Sequence, residues 1–388
     1  MLHYIGCDDT TIELFENQYP VPEGMAYNSY VIEDEKIAVL DTVDARCAEQ
    51  WRQNLNDVLG SRTPDYLVIH HLEPDHSALA FELLQRFPSM RLVATQKALQ
   101  MFAQFFPKAD IEGRTLAVKD GDTLPLGVHT LRFFTAPMVH WPEVMVSFDE
   151  SDKLLFSADA FGKFGSLSVC GSTDADDTDW ACEARRYYFN ICGKYGGPVQ
   201  TLLRKVATLD VKTICPLHGP RLTATIKECV SLYNTWSSYE AEKKGVLVAY
   251  ASIHGGTKIV AEYLGSIFEE RGLEVSLIDL TNTDVSYAVE DAFMFDRVVF
   301  AASSYDAGLF PPMHNLLHHL AIKAFQNKRV AIVENGSWAP SAGRVMREML
   351  QAMKNIKIVE PAVTIRSRMT GNDKQALSQL ADVLSEEQ

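Results

Sequence analysis

Five short apolar runs, at 245–251, 274–280, 297–303, 329–334 and 357–364, alternate with helical patterns through the last part of this 388-residue chain. A run such as GVLVAY at 245–250 has no polar face, as a strand covered on both sides requires. Parallel strands must be joined by a crossover, and a helix is the usual one. Five such units point to a doubly wound parallel sheet. The segment YEAEKK at 239–244 is charged and lacks large aliphatics, so a boundary is placed there, giving domains at 1–243 and 244–388.

The first domain mixes its patterns. NSYVIEDEKIAVLDT at 28–42 reads as two strands joined by a charged turn, and DARCAEQWRQNLNDVLG at 44–60 as an amphipathic helix ending at Gly60. YLVIH at 66–70 is a buried strand, followed by helices over 77–86 and 95–106. Several strands fall between 115 and 158, helices over 179–209, a strand ending in ICP at 214–216, and a helix over 223–240. Clustered strands with helices outside suggest an α+β sandwich of two sheets covered by helices.

HHLEPDH at 70–76 stands in the loop at the carboxyl end of the 66–70 strand. His71, Glu73, Asp75 and His76 crowd four potential metal ligands into six residues, and Pro74 stiffens the turn. Carboxylates and imidazoles packed so closely are costly unless a cation holds them. Neighbours on an extended strand face opposite ways, so if His71 faces the cation, His70 faces away and is structural. His140 follows FFTAPMV, Asp159 follows KLLFSA, and His218 follows TICPL. Singly, these read as core histidines and a turn aspartate. With the motif they make four imidazoles and three carboxylates. That is too many for one tetrahedral zinc and suits two metals sharing a carboxylate. A set with imidazole and carboxylate but no thiolate favours iron or manganese.

In the second domain, ASIHGGTKIVAE at 251–262 carries a small-residue loop straight into a helix. Backbone N–H groups of Ser252, Ile253, His254, Gly255, Gly256 and Thr257 would point at a phosphate, with the helix N-terminus adding partial positive charge. No Lys occupies a P-loop position, so this is no triphosphatase motif. Two further loops follow alternate strands: Ser303, Ser304, Tyr305, Asp306, Ala307 and Gly308 in one, and Gly336, Ser337, Trp338 and Ala339 in the other. Three such loops on one sheet edge describe a flavin mononucleotide (FMN) site, the first holding phosphate and the others flanking the ring. Read alone, Trp338 is a surface or packing tryptophan.

Composition narrows the partners. The 36 Lys and Arg against 51 Asp and Glu leave a net charge of -15, which disfavours nucleic acid and anionic membranes. No signal peptide or membrane span is evident. Seven scattered cysteines include no C-x-x-C, so neither a disulfide framework nor a thiolate metal site is expected, and a cytoplasmic setting follows. STDADDTDW at 172–180 reads as a solvated loop and Cys170 as a buried free thiol. RRYYFN at 185–190 is either structural or near the site.

The motif H-x-E-x-D-H at 71–76, followed by His140, Asp159 and His218, resembles the flavodiiron proteins (A-type flavoproteins), with all seven positions matching. The resemblance implies a metallo-β-lactamase-like αββα sandwich followed by a flavodoxin-like domain. It implies that His71, Glu73 and His140 hold one iron, that Asp75, His76 and His218 hold the other, and that Asp159 bridges. Hydrolytic zinc relatives usually carry His where this chain has Glu73, and the swap makes the site more anionic and better suited to iron. The three loops resemble the family's FMN site, with two departures: His254 stands where flavodoxins often carry a hydroxyl residue, and Pro340 where many relatives carry a second aromatic.

The implied activity is reduction of dioxygen to water, of nitric oxide to nitrous oxide, or both. Electrons would pass through FMN from an external donor of rubredoxin or reduced-deazaflavin type. The resemblance also implies a head-to-tail homodimer, or a dimer of dimers, placing each flavin beside the partner's metals, and a two-domain form without a rubredoxin domain. The rival readings are a zinc-dependent hydrolase of the metallo-β-lactamase superfamily with a flavodoxin-like appendage, and an electron-transfer flavoprotein with a degraded first domain.

Overall fold

The computed structural model describes residues 1–170, 174–175 and 180–386. Of the acidic segment at 172–180, residues 172–173 and 176–179 fall outside them, as does the Cys170 side chain. The chain forms two compact units, one of residues 1–188 and 195–234, the other of residues 189–194 and 235–388.

The first unit is an αββα sandwich. Its six-stranded sheet runs in the order Leu2–Tyr4, Tyr30–Ile32, Ala38–Leu40, Tyr66–Val68, Arg91–Thr95, Thr115–Val118. The other sheet contains Thr130–Thr135, Met145–Asp149, Leu154–Phe156 and Thr213–Cys215 as neighbours. Alternation builds the core between them. In Thr130–Thr135 only Leu131 and Phe133 are buried, as a strand with one inward face requires. They pack in one cluster with Tyr30, Leu40, Val68 and Val93 of the six-stranded sheet. The helix Ala48–Leu59 buries Trp51, Leu55 and Leu59, one turn apart, and stops at Gly60, whose φ of 57° lies in the left-handed region.

Two expectations change here. The strand expected over 66–70 closes at Val68, because His70 N–H turns to the Asp41 carboxylate (2.7 Å) instead of continuing the ladder. The motif thought to lie wholly in a loop contains a short helix, Pro74–Ser77, with Pro at its first position, where a missing N–H costs nothing. Short strand pairs also occur within the first 27 residues, which the sequence pattern did not mark.

The second unit is a doubly wound parallel sheet in the order Glu274–Asp279, Lys243–Ala251, Phe295–Tyr305, Lys328–Asn335, then Ile356–Ile358. The fifth strand, expected to run unbroken over 357–364, is two pieces, Ile356–Ile358 and Val363–Ile365. Pro361 between them has no N–H to give to a ladder. No helix among the described residues is long and apolar enough to cross a membrane.

Lys328, at the start of the fourth strand, is only 2% exposed, and its Nζ donates to the carbonyls of Phe293 and Phe295, both at 2.6 Å. Burial pushes its ammonium down to about 7, against about 10.4 in an unfolded chain. Between those values the unfolded chain holds more protons, so this residue's contribution to stability rises with pH from about 7 to about 10. We expect Lys328→Met to flatten the stability profile of denaturant unfolding over that range. An unchanged pH slope in the variant would count against this.

Candidate metal centre and nucleotide-loop site

The seven candidate ligands come together from the ends of four strands. His71, Glu73, Asp75 and His76 follow Tyr66–Val68, and His140, Asp159 and His218 follow Thr130–Thr135, Leu154–Phe156 and Thr213–Cys215. They form two groups, His71, Glu73, His140 and Asp159 in one and Asp75, His76 and His218 in the other. In the first, His140 Nε2 lies 3.0 Å from Glu73 Oε2 and 3.4 Å from His71 Nε2. In the second, His76 Nε2 and His218 Nε2 each lie 3.3 Å from Asp75 Oδ2. Asp159 reaches both. Its Oδ2 is 3.1 Å from His140 Nε2, and its Oδ1 is 3.0 Å from His76 Nε2.

Outer partners fix which nitrogen faces inward. His71 Nδ1 is 2.7 Å from Glu143 Oε1. A carboxylate only accepts, so Nδ1 carries the hydrogen and Nε2 faces the group. His218 Nδ1 likewise donates to the Ala26 carbonyl at 2.8 Å. Phe15, Tyr27 and Tyr187 wall the His218 ring with centroids 5.3, 5.6 and 5.5 Å away. That settles the 185–190 segment, since its Tyr187 borders the second group.

The electrostatics call for added positive charge. Burial opposes charging His71, yet Asp159, Glu143 and Glu73 hold its imidazole well above the usual range. Burial likewise works against His140, but Asp159 and Glu73 raise it to about 9. Asp159 is buried too, and His76 and His71 hold its carboxyl well below the ordinary value. Buried Asp75 Oδ1, His76 Nδ1 and His218 Nε2 have no hydrogen-bond partner among the described residues, and the 3.0 Å approach of His76 Nε2 to Asp159 Oδ1 is not a hydrogen bond. Converging lone pairs left unsatisfied in a buried site fit metal ligation. Three carboxylates and four imidazoles in two groups suit two divalent ions.

His70 does not join the groups. Its Nδ1 meets Asp41 Oδ2 at 2.5 Å and its Nε2 meets Ser147 Oγ at 2.7 Å. All three residues are buried, and the contact ties Asp41, just after Ala38–Leu40 in one sheet, to Met145–Asp149 in the other. Sequence reasoning missed both Asp41 and Glu143. The available signal was an acidic residue directly flanking an apolar strand, as in AVLDT and EVMV. Removing an outer partner of a metal-ligating histidine typically costs about 10–100-fold in metal affinity or activity. We expect Glu143→Gln to weaken metal binding by that order in chelator competition. Affinity equal to wild type would refute its positioning role.

The nucleotide loops also meet. Residues 252–257, 303–308 and 336–339 follow three adjacent parallel strands, Lys243–Ala251, Phe295–Tyr305 and Lys328–Asn335, or extend their last turns. Thr257 and Ser303 share a hydroxyl hydrogen bond of 2.9 Å, and Ser304 Oγ accepts from Ser341 N at 2.8 Å. Gly255 caps the helix Gly256–Glu270 with φ 82°, a conformation that favours glycine. Ser252 Oγ is buried without a hydrogen-bond partner among the described residues, while Trp338 is 89% and Tyr305 45% exposed. An orphan hydroxyl at a helix N-terminus and two open aromatics fit a phosphate and a flat ring. A fourth loop escaped sequence reasoning. Ser367 N donates to Asn335 Oδ1 at 3.0 Å, and the Ser367 and Ser337 hydroxyls lie 2.7 Å apart.

A family model described as "ODP family beta lactamase" matches residues 25–219. The chain is 28% identical over 392 residues to the putative diflavin flavoprotein A 1 of Nostoc sp., covering 99% of this chain and 64% of that protein. It is 27% identical over 382 residues to the nitric oxide reductase of Moorella thermoacetica, covering 98% and 95%. Its fold matches rubredoxin oxygen:oxidoreductase from Desulfovibrio gigas with a TM-score of 0.92 at 25% identity, covering 99% of this chain and 96% of that one.

Proposed function

The chain belongs to the ODP beta-lactamase family and is a flavodiiron protein, an oxidoreductase, and from that premise we propose that it reduces dioxygen to water, nitric oxide to nitrous oxide, or both. In this reading His71, Glu73 and His140 hold one iron, Asp75, His76 and His218 the other, and Asp159 bridges them. FMN lies among the loops at 252–257, 303–308 and 336–339 and takes electrons from an external donor. The carrying observation is that the two oxygens of Asp159 face different groups, at 3.1 and 3.0 Å from His140 and His76.

When bound, two ferrous ions supply neighbouring open positions and one electron each, and the flavin supplies two electrons more. The chain's own residues do the rest. Glu143 and the Ala26 carbonyl hold His71 and His218 in the tautomer that presents Nε2. Glu73 adds an anionic ligand where an imidazole would be neutral, favouring iron over zinc. Trp141 sets its ring edge-on to His71 at 5.2 Å and stacks at 6.3 Å on the exposed Phe105, an aromatic lip that admits small apolar gases more readily than charged substrates. At the flavin, the N-terminus of Gly256–Glu270 and the Ser252 and Thr257 hydroxyls receive the phosphate.

The two sites belong to different units, and the reading includes a head-to-tail homodimer in which each flavin serves the partner's metals. The test is consumption of NO and of O2 by anaerobically purified protein with a reduced donor. Four electrons per O2 without released peroxide, or two electrons per pair of NO, support the reading. A protein that consumes neither gas and hydrolyses phosphoesters or thioesters with zinc overturns it.

A further inference from the structure

We propose that Arg366 and Arg368 form the docking point for an acidic electron-donor protein beside the flavin loops. The inference rests on the reading of the second unit as the FMN unit fed by an external donor. Both arginines are exposed and flank Ser367 in the loop after Val363–Ile365. That loop is fastened across the flavin loops at several points. Gly336 N donates to the Ile365 carbonyl at 3.0 Å, Ser367 N to Asn335 Oδ1 at 3.0 Å, and Asn335 Nδ2 to the Ser367 carbonyl at 3.2 Å. A Cβ at Gly256, in the phosphate loop, would stand 2.8 Å from the Ser367 carbonyl. Ser367 itself has φ 66°, and Arg368 N donates to the Arg366 carbonyl at 2.9 Å, a tight turn that fixes where both side chains leave the backbone.

Their charge sets them apart. The second unit contains seven arginines. Arg271, Arg297, Arg344 and Arg347 pair with Asp382, Asp296, Glu348 and Glu360. Arg329 donates to the carbonyls of Val383 and Glu386. Only Arg366 and Arg368 have neither an ion pair nor a side-chain hydrogen bond among the described residues. On a chain of net charge -15, two unneutralised guanidiniums on either side of Ser367 make a local attractive spot for an acidic partner. Such an arrangement steers encounter and fixes orientation more than it adds affinity. The planar donor fork of each guanidinium matches a carboxylate. An acidic carrier docked there would reach the protein where the exposed Trp338 and Tyr305 stand.

The test follows flavin reduction in the iron- and FMN-loaded protein by stopped flow, with reduced rubredoxin as the acidic probe and the methyl viologen radical cation as the control. Ionic strength is raised from about 0.01 M to about 1 M, over which the Debye length falls from about 30 Å to about 3 Å. We expect the rubredoxin rate constant to drop at least about tenfold over that range, within the span of electrostatic steering. The double variant R366E/R368E should lower it by a similar factor at low salt, through KM rather than kcat, and lose the salt dependence. R366K/R368K should retain most of the rate, and viologen, being a cation, should reduce every variant at least as fast as wild type. A rubredoxin rate untouched by charge reversal overturns the proposal, as does slowing of both donors together or loss of FMN, which would place the arginines in flavin binding instead. Failure of both donors to reduce the wild-type protein would refute the flavin reading itself.

Discussion

Replacing Asp159 by alanine is expected to strip both metals and abolish gas reduction. Among the described residues its carboxylate is the one with ion-pair contacts to histidines of both groups, Oδ2 lying 3.1 Å from His140 Nε2 and Oδ1 3.0 Å from His76 Nε2. Without it, each group keeps three ligands, His71, Glu73 and His140 in one and Asp75, His76 and His218 in the other, but nothing joins them. The loss should exceed the roughly 10–100-fold that removal of an outer partner costs. Glu73→Ala, by comparison, should empty the first group while leaving some metal in the second. Iron content and NO or O2 consumption, measured on both variants, check this. Near-normal iron in Asp159→Ala would show that Asp159 does not bridge.

The second large effect is expected at Asp41, and it is one of stability. Its carboxylate accepts from His70 N at 2.7 Å and contacts His70 Nδ1 at 2.5 Å, in a site where both residues are 1% exposed. Asp41→Ala would leave a buried backbone N–H and an imidazole without acceptors. Breaking a buried, hydrogen-bonded pair of this kind costs about 3–5 kcal/mol. Asp41→Asn keeps one oxygen and tolerates the backbone φ of 54°, so it should cost less. Because His71 is the next residue, the alanine variant should also bind iron more weakly. Denaturant unfolding of both variants gives the comparison, and equal stability of Asp41→Ala and wild type would show that the buried contact to His70 contributes nothing.

What could be read from the sequence was whatever is local or periodic. His71, Glu73, Asp75 and His76 announce themselves by crowding. His140, Asp159 and His218 do so by ending apolar strands, where open sheets present their chemistry. The parallel sheet follows from apolar runs at regular intervals. What escaped was non-local. Asp41 is 29 residues from His70, and Glu143 is 72 residues from His71, and no spacing rule links partners across two sheets. The 366–368 loop was missed for a related reason. Ser367 matters because the end of Val363–Ile365 lies beside Lys328–Asn335, an adjacency set by strand order. The fifth strand was read too long because its apolar pattern continues through Pro361, while the ladder cannot.

The central claim is that one chain carries two irons and one flavin. It is tested most directly by counting iron, zinc and FMN per chain in protein purified without air. The account predicts about two irons and one FMN. Zinc in place of iron, with no flavin, would contradict it and put the zinc-hydrolase reading first.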